Sequence, residues 1–349
     1  MTRLSLKTLS LGLAAVACLP FGPVSNAGPI QWVTVGDPGN AADTSPAGYG
    51  TVADSFQMMK YEFTNQQYTD FLNSVDANGS NPYSVYNASM GSGRGGISFD
   101  SLAASGSKYA VMSNMGDKPV IFVSWFDAAR VSNWYQNGAT SSSSTETGAY
   151  TLGGAISGNA LAVNNGATFY VPTQDQWYKA AYYKGGGTNA GYWDYATQSD
   201  TAPTAVTAGT TGIGSAGNTG NFANSNSAAD WNSLDGNVTT VGTNGGPSAY
   251  GAFDMSGNVM EWNDLDGLAS SGSYRGQRSG DYTSPSPFVL SSSYNGSRAP
   301  SYEDDIFGFR LASPIAVPEP STYAMALAGL ACGGWQMYRR RRLRHAGKG

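Results

Sequence analysis

Thiols and imidazoles are almost missing from this chain of 349 residues, which has two cysteines and one histidine. Cys18 and Cys332 each lie in an apolar stretch near a terminus, and His345 lies in a basic tail. The body between them can form no disulfide, no thiolate metal site and no cysteine nucleophile. Imidazole catalysis and His-ligated zinc, copper or iron are excluded from it for the same reason. Charge is sparse as well, at 12% of residues, and basic charge sparser still. With the terminal segments set aside, 11 basic side chains face 23 acidic ones. Nucleic acid is therefore not an expected partner, because neutralising phosphates needs clustered Lys and Arg. An acidic exterior is compatible with cations.

What the chain has in quantity is Gly, Ser, Asn and Thr, with 21 tyrosines and eight tryptophans. Residues 1–27 carry Arg3 and Lys7, an apolar run from Leu9 to Leu19, and Ser25-Asn26-Ala27 as a small-residue cleavage site. That is the pattern of a secretory signal peptide, so the protein is expected to be exported. Cys18 does not turn it into a lipoprotein signal, since "AVAC" lacks the leucine three places earlier. Near the other end, residues 322–338 ("TYAMALAGLACGGWQMY") hold no charge. As a helix they would span about 26 Å at ~1.5 Å per residue, enough for a thin hydrocarbon core. The basic cluster from Arg339 to Arg344 follows at once, which places residues 339–349 in the cytoplasm and the body outside the inner membrane.

Three short helices stand out within the body. "TNQQYTDFLNSV" opens on a capping box, Thr64 with Gln67, and places Tyr68, Phe71, Leu72 and Val75 on one face. "SWFDAARVSNWYQNG" begins with Ser124 as cap and Asp127 in its first turn, and stops at Asn137-Gly138. "TQDQWYKAAYYKGGG" repeats the capping box with Thr173 and Gln176. Strands are expected over "FQMMKYEF", "PVIFVSW" and "TFYVP", and long loops over 76–117, 138–166 and 187–248. The expected architecture is α+β: one loop-rich domain at 29–313, a linker at 314–321, and one transmembrane helix at 322–338.

The pieces "MMKYEFTNQQYTDFLN", "KPVIFVSWFDAARVSNW", "FYVPTQDQWYKAAYYKGG", "YGAFDMSGNVMEW" and "DIFGFRLA", in that order, resemble the sulfatase-modifying factor family. Its founding members are formylglycine-generating enzymes with a C-type-lectin-like fold, so the resemblance implies that fold here. It also implies structural calcium around "DMSGNVMEW", with Asp254, the carbonyls of Gly257 and Val259, and Glu261 as ligands and Trp262 packed behind. Hard oxygen donors around a glycine turn suit that ion. A plain turn whose acids face water is the alternative. A second calcium site would map onto Asn221, Phe222, Asp235 and Asn237. Catalysis does not carry over, because the family's copper-binding cysteine pair falls on Ser284 and Val289. The iron-dependent sulfoxide synthases of a related branch need histidines that are absent here. Copper, iron and zinc are not expected.

The tail has a resemblance of its own. Val317-Pro318-Glu319-Pro320, one apolar span and an arginine cluster are similar to a PEP-CTERM sorting signal. That implies an exosortase-type processing enzyme as partner, transient anchoring in the inner membrane of a Gram-negative bacterium, and a final place at the cell surface or in the extracellular matrix. The expected function is a non-catalytic, calcium-stabilised surface or matrix protein that binds glycan, such as exopolysaccharide. The alternative is a divergent enzyme using Asp281, Tyr282, Ser284 or Arg298, although a serine without a nearby base has nothing to activate it.

Overall fold

The computed structural model describes residues 29–46, 48–159, 161–264 and 274–315. The signal peptide at 1–27, the motif at 317–320, the span at 322–338 and the basic tail lie outside the described residues. Among the described residues no helix is long and apolar enough to cross a membrane.

The fold is mixed α/β with short elements. β1 (Trp32–Val35), β2 (Phe56–Met59), α1 (Asn65–Val75), β3 (Ile97–Phe99), β4 (Tyr109–Val111), α2 (Trp125–Gln136) and α3 (Gln174–Tyr182) form the first part of the chain. β5 (Thr204–Ala205), β6 (Phe222–Ala223), β7 (Met260–Asn263), β8 (Arg275–Arg278), β9 (Gly296–Arg298), β10 (Phe307–Gly308) and β11 (Ala312–Pro314) follow. The first sheet has the order β1-β2-β11, so a C-terminal strand closes on an N-terminal hairpin. The second has the order β10-β7-β8-β9, with β10 parallel to β7 and the other pairs antiparallel.

All three helices begin where their caps predict. Thr64 with Gln67, Ser124 with Asp127 and Thr173 with Gln176 each make the reciprocal bonds of a capping box, satisfying amide donors that the first helical turn cannot. α3 ends at Tyr182, with Tyr183 N–H bonded back to Lys179 O. Two expected strands are absent. "PVIFVSW" forms only a bridge from Pro119 to Thr64, and "TFYVP" only one from Tyr170 to Ala312. The reason is visible at Phe122, whose φ of 60° breaks the extended path. Val120 N–H then bonds to Phe63 O and Phe122 N–H to Asp304 O, on two different segments. The apolar run is buried, but no single neighbour strand receives it.

Aromatic rings fill the centre. Phe63 stacks on Phe309 at 4.9 Å, Phe71 meets Trp134 edge-on at 5.4 Å, and Trp262 stacks on Phe307 at 5.2 Å. Such pairs contribute roughly 0.5–1.5 kcal/mol each beyond the area they bury. They join α1 to α2, β7 to β10, and the approach to α1 to the approach to β11, leaving long loops to be pinned individually.

One cap carries a pH dependence. Asp127 accepts from Ser124 N–H at 2.8 Å and from Ser124 Oγ at 2.7 Å while almost wholly buried. Burial, and then the nearby charge of Glu303, push its pKa up from 3.8 to about 7. A carboxyl whose folded pKa is raised contributes stability below its unfolded value, and loses it as pH rises through the folded value. Urea midpoints should therefore fall between about pH 4 and about pH 7. The loss has an upper bound of ~4 kcal/mol, at ~1.4 kcal/mol per pH unit. Asp127→Asn, which keeps the cap oxygen, should flatten the profile over that window; an unchanged profile would remove Asp127 as its source.

Candidate functional site

The turn 254–259 is built from left-handed backbone. Asp254, Gly257 and Asn258 have φ of 58°, 92° and 66°. Asp and Asn tolerate that region, but at Gly257 a Cβ would lie 2.4 Å from the Asn224 carbonyl oxygen, so only glycine fits. The turn feeds β7, whose four residues are all buried.

Each polar side chain of the stretch has a protein partner. Asp254 accepts from Gly242 N–H, and from Asn244 Nδ2 at 2.9 Å. Asn258 Oδ1 accepts from Thr239 N–H at 2.9 Å and Asn224 Nδ2 at 3.0 Å, while its Nδ2 donates to Glu62 Oε2 at 2.7 Å. Glu261 receives Arg310 Nε on Oε2 and Arg310 Nη2 on Oε1, both at 2.6 Å, and Trp177 Nε1 on Oε2 at 2.7 Å. Arg310 and Glu261 are both fully buried. Burial would pull the Arg310 pKa down, yet the Glu261 carboxylate beside it outweighs that and raises it. Burial also raises Asp254 and, helped by the charges of Asp254 and Glu261, holds Glu62 well above the ordinary carboxyl range.

This geometry tests the expected calcium ligands. Glu261 already holds three N–H donors and a full positive charge. Asp254 faces an amide N–H and a carboxamide, and the carbonyls of Asp254 and Gly257 both accept from Ser279 Oγ, at 3.2 and 3.0 Å. A calcium shell needs six to eight oxygens turned toward one point. Asp254, Gly257, Val259 and Glu261 as arranged do not fit one, since a cation at Glu261 would have to displace Arg310. Trp262 does pack behind them, donating to Val123 O at 2.9 Å.

The second set fits no better. Asn221 spends its carboxamide on Thr197, Ser199 and Thr201, and Asn237 turns its Oδ1 to the N–H of Val238. Phe222 lies on β6, and the carbonyl of Asp235 accepts from Arg94 Nη2 at 3.2 Å. Among the described residues, no three acidic, histidine or cysteine side chains converge as metal ligands.

The positions where the resemblance puts catalytic cysteines lie in the segment after β8. Ser284 Oγ donates to Asp281 Oδ2 at 2.9 Å and accepts from the Asp281 N–H at 3.1 Å. Asp281 also takes Thr283 N–H at 2.8 Å, so the Ser–Asp contact belongs to a tight local turn. Val289 lies in a single 3-10 turn, Pro287–Leu290. Tyr282 lies under the guanidinium of Arg94, 5.2 Å from its ring, and takes Arg94 Nη1 on its hydroxyl at 2.6 Å. Burial raises its pKa further out of reach of neutral pH. Arg298 is exposed and stacks on Tyr302 at 5.9 Å. Serine here has a carboxylate neighbour but no imidazole or amine to take its proton.

Sequence reasoning passed over Glu62, Trp177 and Arg310 as site residues. A signal existed: Glu62 between the rings of Tyr61 and Phe63, and Arg310 inside the apolar run "FGFRLA", had to find buried partners.

Removing one member of the buried pair should cost far more than replacing both. Arg310→Met leaves Glu261 unpaired and should lower the unfolding free energy by roughly 3–5 kcal/mol. Arg310→Met combined with Glu261→Leu should recover a large part of it in urea melts. Millimolar calcium should leave the wild-type melting temperature where a chelator leaves it; a rise abolished by Glu261→Ala would show that the ion displaces Arg310.

Comparison with known proteins agrees with the order of motifs. Residues 24–315 match the sulfatase-modifying factor enzyme 1-like domain, and residues 316–342 match the PEP-CTERM protein-sorting motif. No curated protein matches. Among solved structures, the chain is similar to CarF at 21% identity, covering 82% of this chain and 99% of that one with a TM-score of 0.46. It is similar to Treponema denticola variable protein 1 at 18% identity, covering 81% and 95% with a TM-score of 0.45. PvdO from Pseudomonas aeruginosa follows at 20% identity, covering 82% and 92% with a TM-score of 0.42. By the extent of the domain match, the chain belongs to the sulfatase-modifying factor family and ends in a PEP-CTERM sorting motif.

Proposed function

We propose that this family member is a non-catalytic binding or structural protein of the cell surface or extracellular matrix. The observation that carries the reading is the fate of the two cysteine positions. Ser284 is held in a turn by Asp281, and Val289 lies in the 3-10 turn beyond. Neither can bind copper as a thiolate or form a mixed disulfide with a substrate. A fold can persist while its site is lost. The enzyme alternative would need Asp281, Tyr282, Ser284 or Arg298 to acquire a base that their neighbours do not supply.

The sorting motif implies export and exosortase-type processing. Surface polymer is the partner class that suits the loops, because Tyr, Trp, Ser, Asn and Gly combine rigid contact area with adaptable hydrogen bonding. Calcium is not needed for this reading, since Arg310 neutralises Glu261 from within.

Two experiments test it. Incubated with copper, oxygen and a thiol-containing sulfatase peptide, the purified exported protein should yield no formylglycine above a protein-free control by mass spectrometry. Appearance of the product would overturn the non-catalytic reading. In the native host, the exported form should lack the residues beyond the motif, whereas replacing Val317 to Pro320 by alanines should retain a full-length, membrane-bound form. An intact "RRRRLRHAGKG" on the exported wild type would eliminate exosortase-type processing.

A further inference from the structure

Beside the N-terminus of α1 lies a cavity of about 400 Å³, in the size range of small-ligand sites. Pro29, Tyr61 and Val241 give it an apolar side. Gln31, Gln66, Asp117 and Glu62 give it a polar one. Among the described residues, no Lys, Arg or His lines it. The two cations adjacent in sequence already have partners, some of them among the lining residues. Lys60 lies over the rings of Tyr61 and Phe253, at 5.2 and 5.6 Å. Lys118 donates to Thr211 O and Thr240 Oγ1 and stacks on Trp231 at 5.0 Å.

The polar side is therefore rich in acceptors, with the carboxamides of Gln31 and Gln67 beside them. Gln66 spends its amide nitrogen on Asp70 and keeps its carbonyl oxygen, and Asp117 is exposed at the rim. Glu62 is decisive. Its Oε2 is held by Asn258, while its Oε1 is buried with no hydrogen-bond partner. A buried acceptor without a donor costs roughly 1–3 kcal/mol and calls for an explanation. Arg310, bound to Glu261, favours the ionised form of Glu62, while Asp254 and Glu261 both oppose it. A donor-bearing cation arriving from the cavity would satisfy the orphaned oxygen and relieve that repulsion together. Anionic sugars such as uronates, and phosphates, would meet the like charge of Asp117 at the rim.

We propose that this cavity is the subsite at which the protein holds an amino sugar of a surface polysaccharide, its ammonium directed to Glu62 and its hydroxyls to Gln31, Gln66 and Asp117. The assignment rests on the polymer-binding reading above and locates it in one place. The apolar side would take the non-polar face of the sugar ring.

The test is titration calorimetry on the purified exported protein at physiological salt, with the glucosamine disaccharide as probe. The free amine should bind, the N-acetylated disaccharide should bind at least tenfold more weakly, and a galacturonate disaccharide should not bind. Gln31→Ala with Asp117→Ala, both on the exposed rim, should weaken the free amine about tenfold without altering the melting curve. Glu62→Gln, which keeps an oxygen for Asn258, should remove the preference for the amine over its acetylated form. Equal binding of the two disaccharides, no binding of the amine, or a rim variant that binds as wild type would overturn the assignment. So would a lysine-rich peptide that binds as tightly as the sugar, which would make the occupant a protein. If whole exopolysaccharide is still captured by the rim variant, the subsite fails while the surface-polymer reading stands.

Discussion

Everything around the turn at 254–262 depends on one buried ion pair. Arg310 and Glu261 meet through two bonds of 2.6 Å with no access to solvent, and Arg310 also donates to the carbonyls of Met59 and Phe253. Met59 ends β2, Glu261 lies in β7, and Arg310 lies between β10 and β11, so a single guanidinium links both main sheets. Trp177 adds α3 to the same carboxylate. Such a pair is poor evidence of net stability, because desolvation offsets most of its attraction. What it imposes is register. A slip of β7 by one residue would turn Glu261 to the other face and leave two unpaired charges buried.

Next to the pair runs a closed polar network. Asn258 joins Glu62 to Thr239, Thr239 Oγ1 donates to Asn244, and Asn244 donates to Asp254. Three segments, at residues 62, 239–244 and 254–258, are held by it in the absence of any disulfide. Loops of this length order themselves through such contacts one at a time. Aromatic and cation-π contacts serve the same end, with the buried Arg278 lying 4.9 and 4.8 Å from the rings of Tyr49 and Tyr178. The network also accounts for the cavity at α1: its terminal carboxyl, Glu62, has one oxygen inside the network and one without a partner.

Local and non-local features of the chain were legible to different degrees. The three helices were readable because a capping box is written within four residues, as Thr64 with Gln67 shows. The strands at 119–125 and 168–172 were not, because an apolar run states that it is buried without stating which neighbour will accept its amides. The calcium reading of "DMSGNVMEW" failed to fit for a related reason. Oxygen donors around a glycine describe a metal loop and a hydrogen-bonded core turn equally well, and the choice lay with a residue 49 positions away.

Sequence by itself determined the chemistry the body cannot perform, since without cysteine or histidine no thiolate or imidazole can be assembled by any folding. It also determined family membership, helix starts and the sorting motif, all of which are contiguous patterns. Tertiary structure alone decided which acids are paired and which are not. Glu62, Asp254 and Glu261 are alike as carboxylic acids, yet one is bound by an arginine, one by an amide and a carboxamide, and one retains a free oxygen. Burial and partner geometry set the state of a carboxyl group, and both arise only when segments far apart in the chain are brought together.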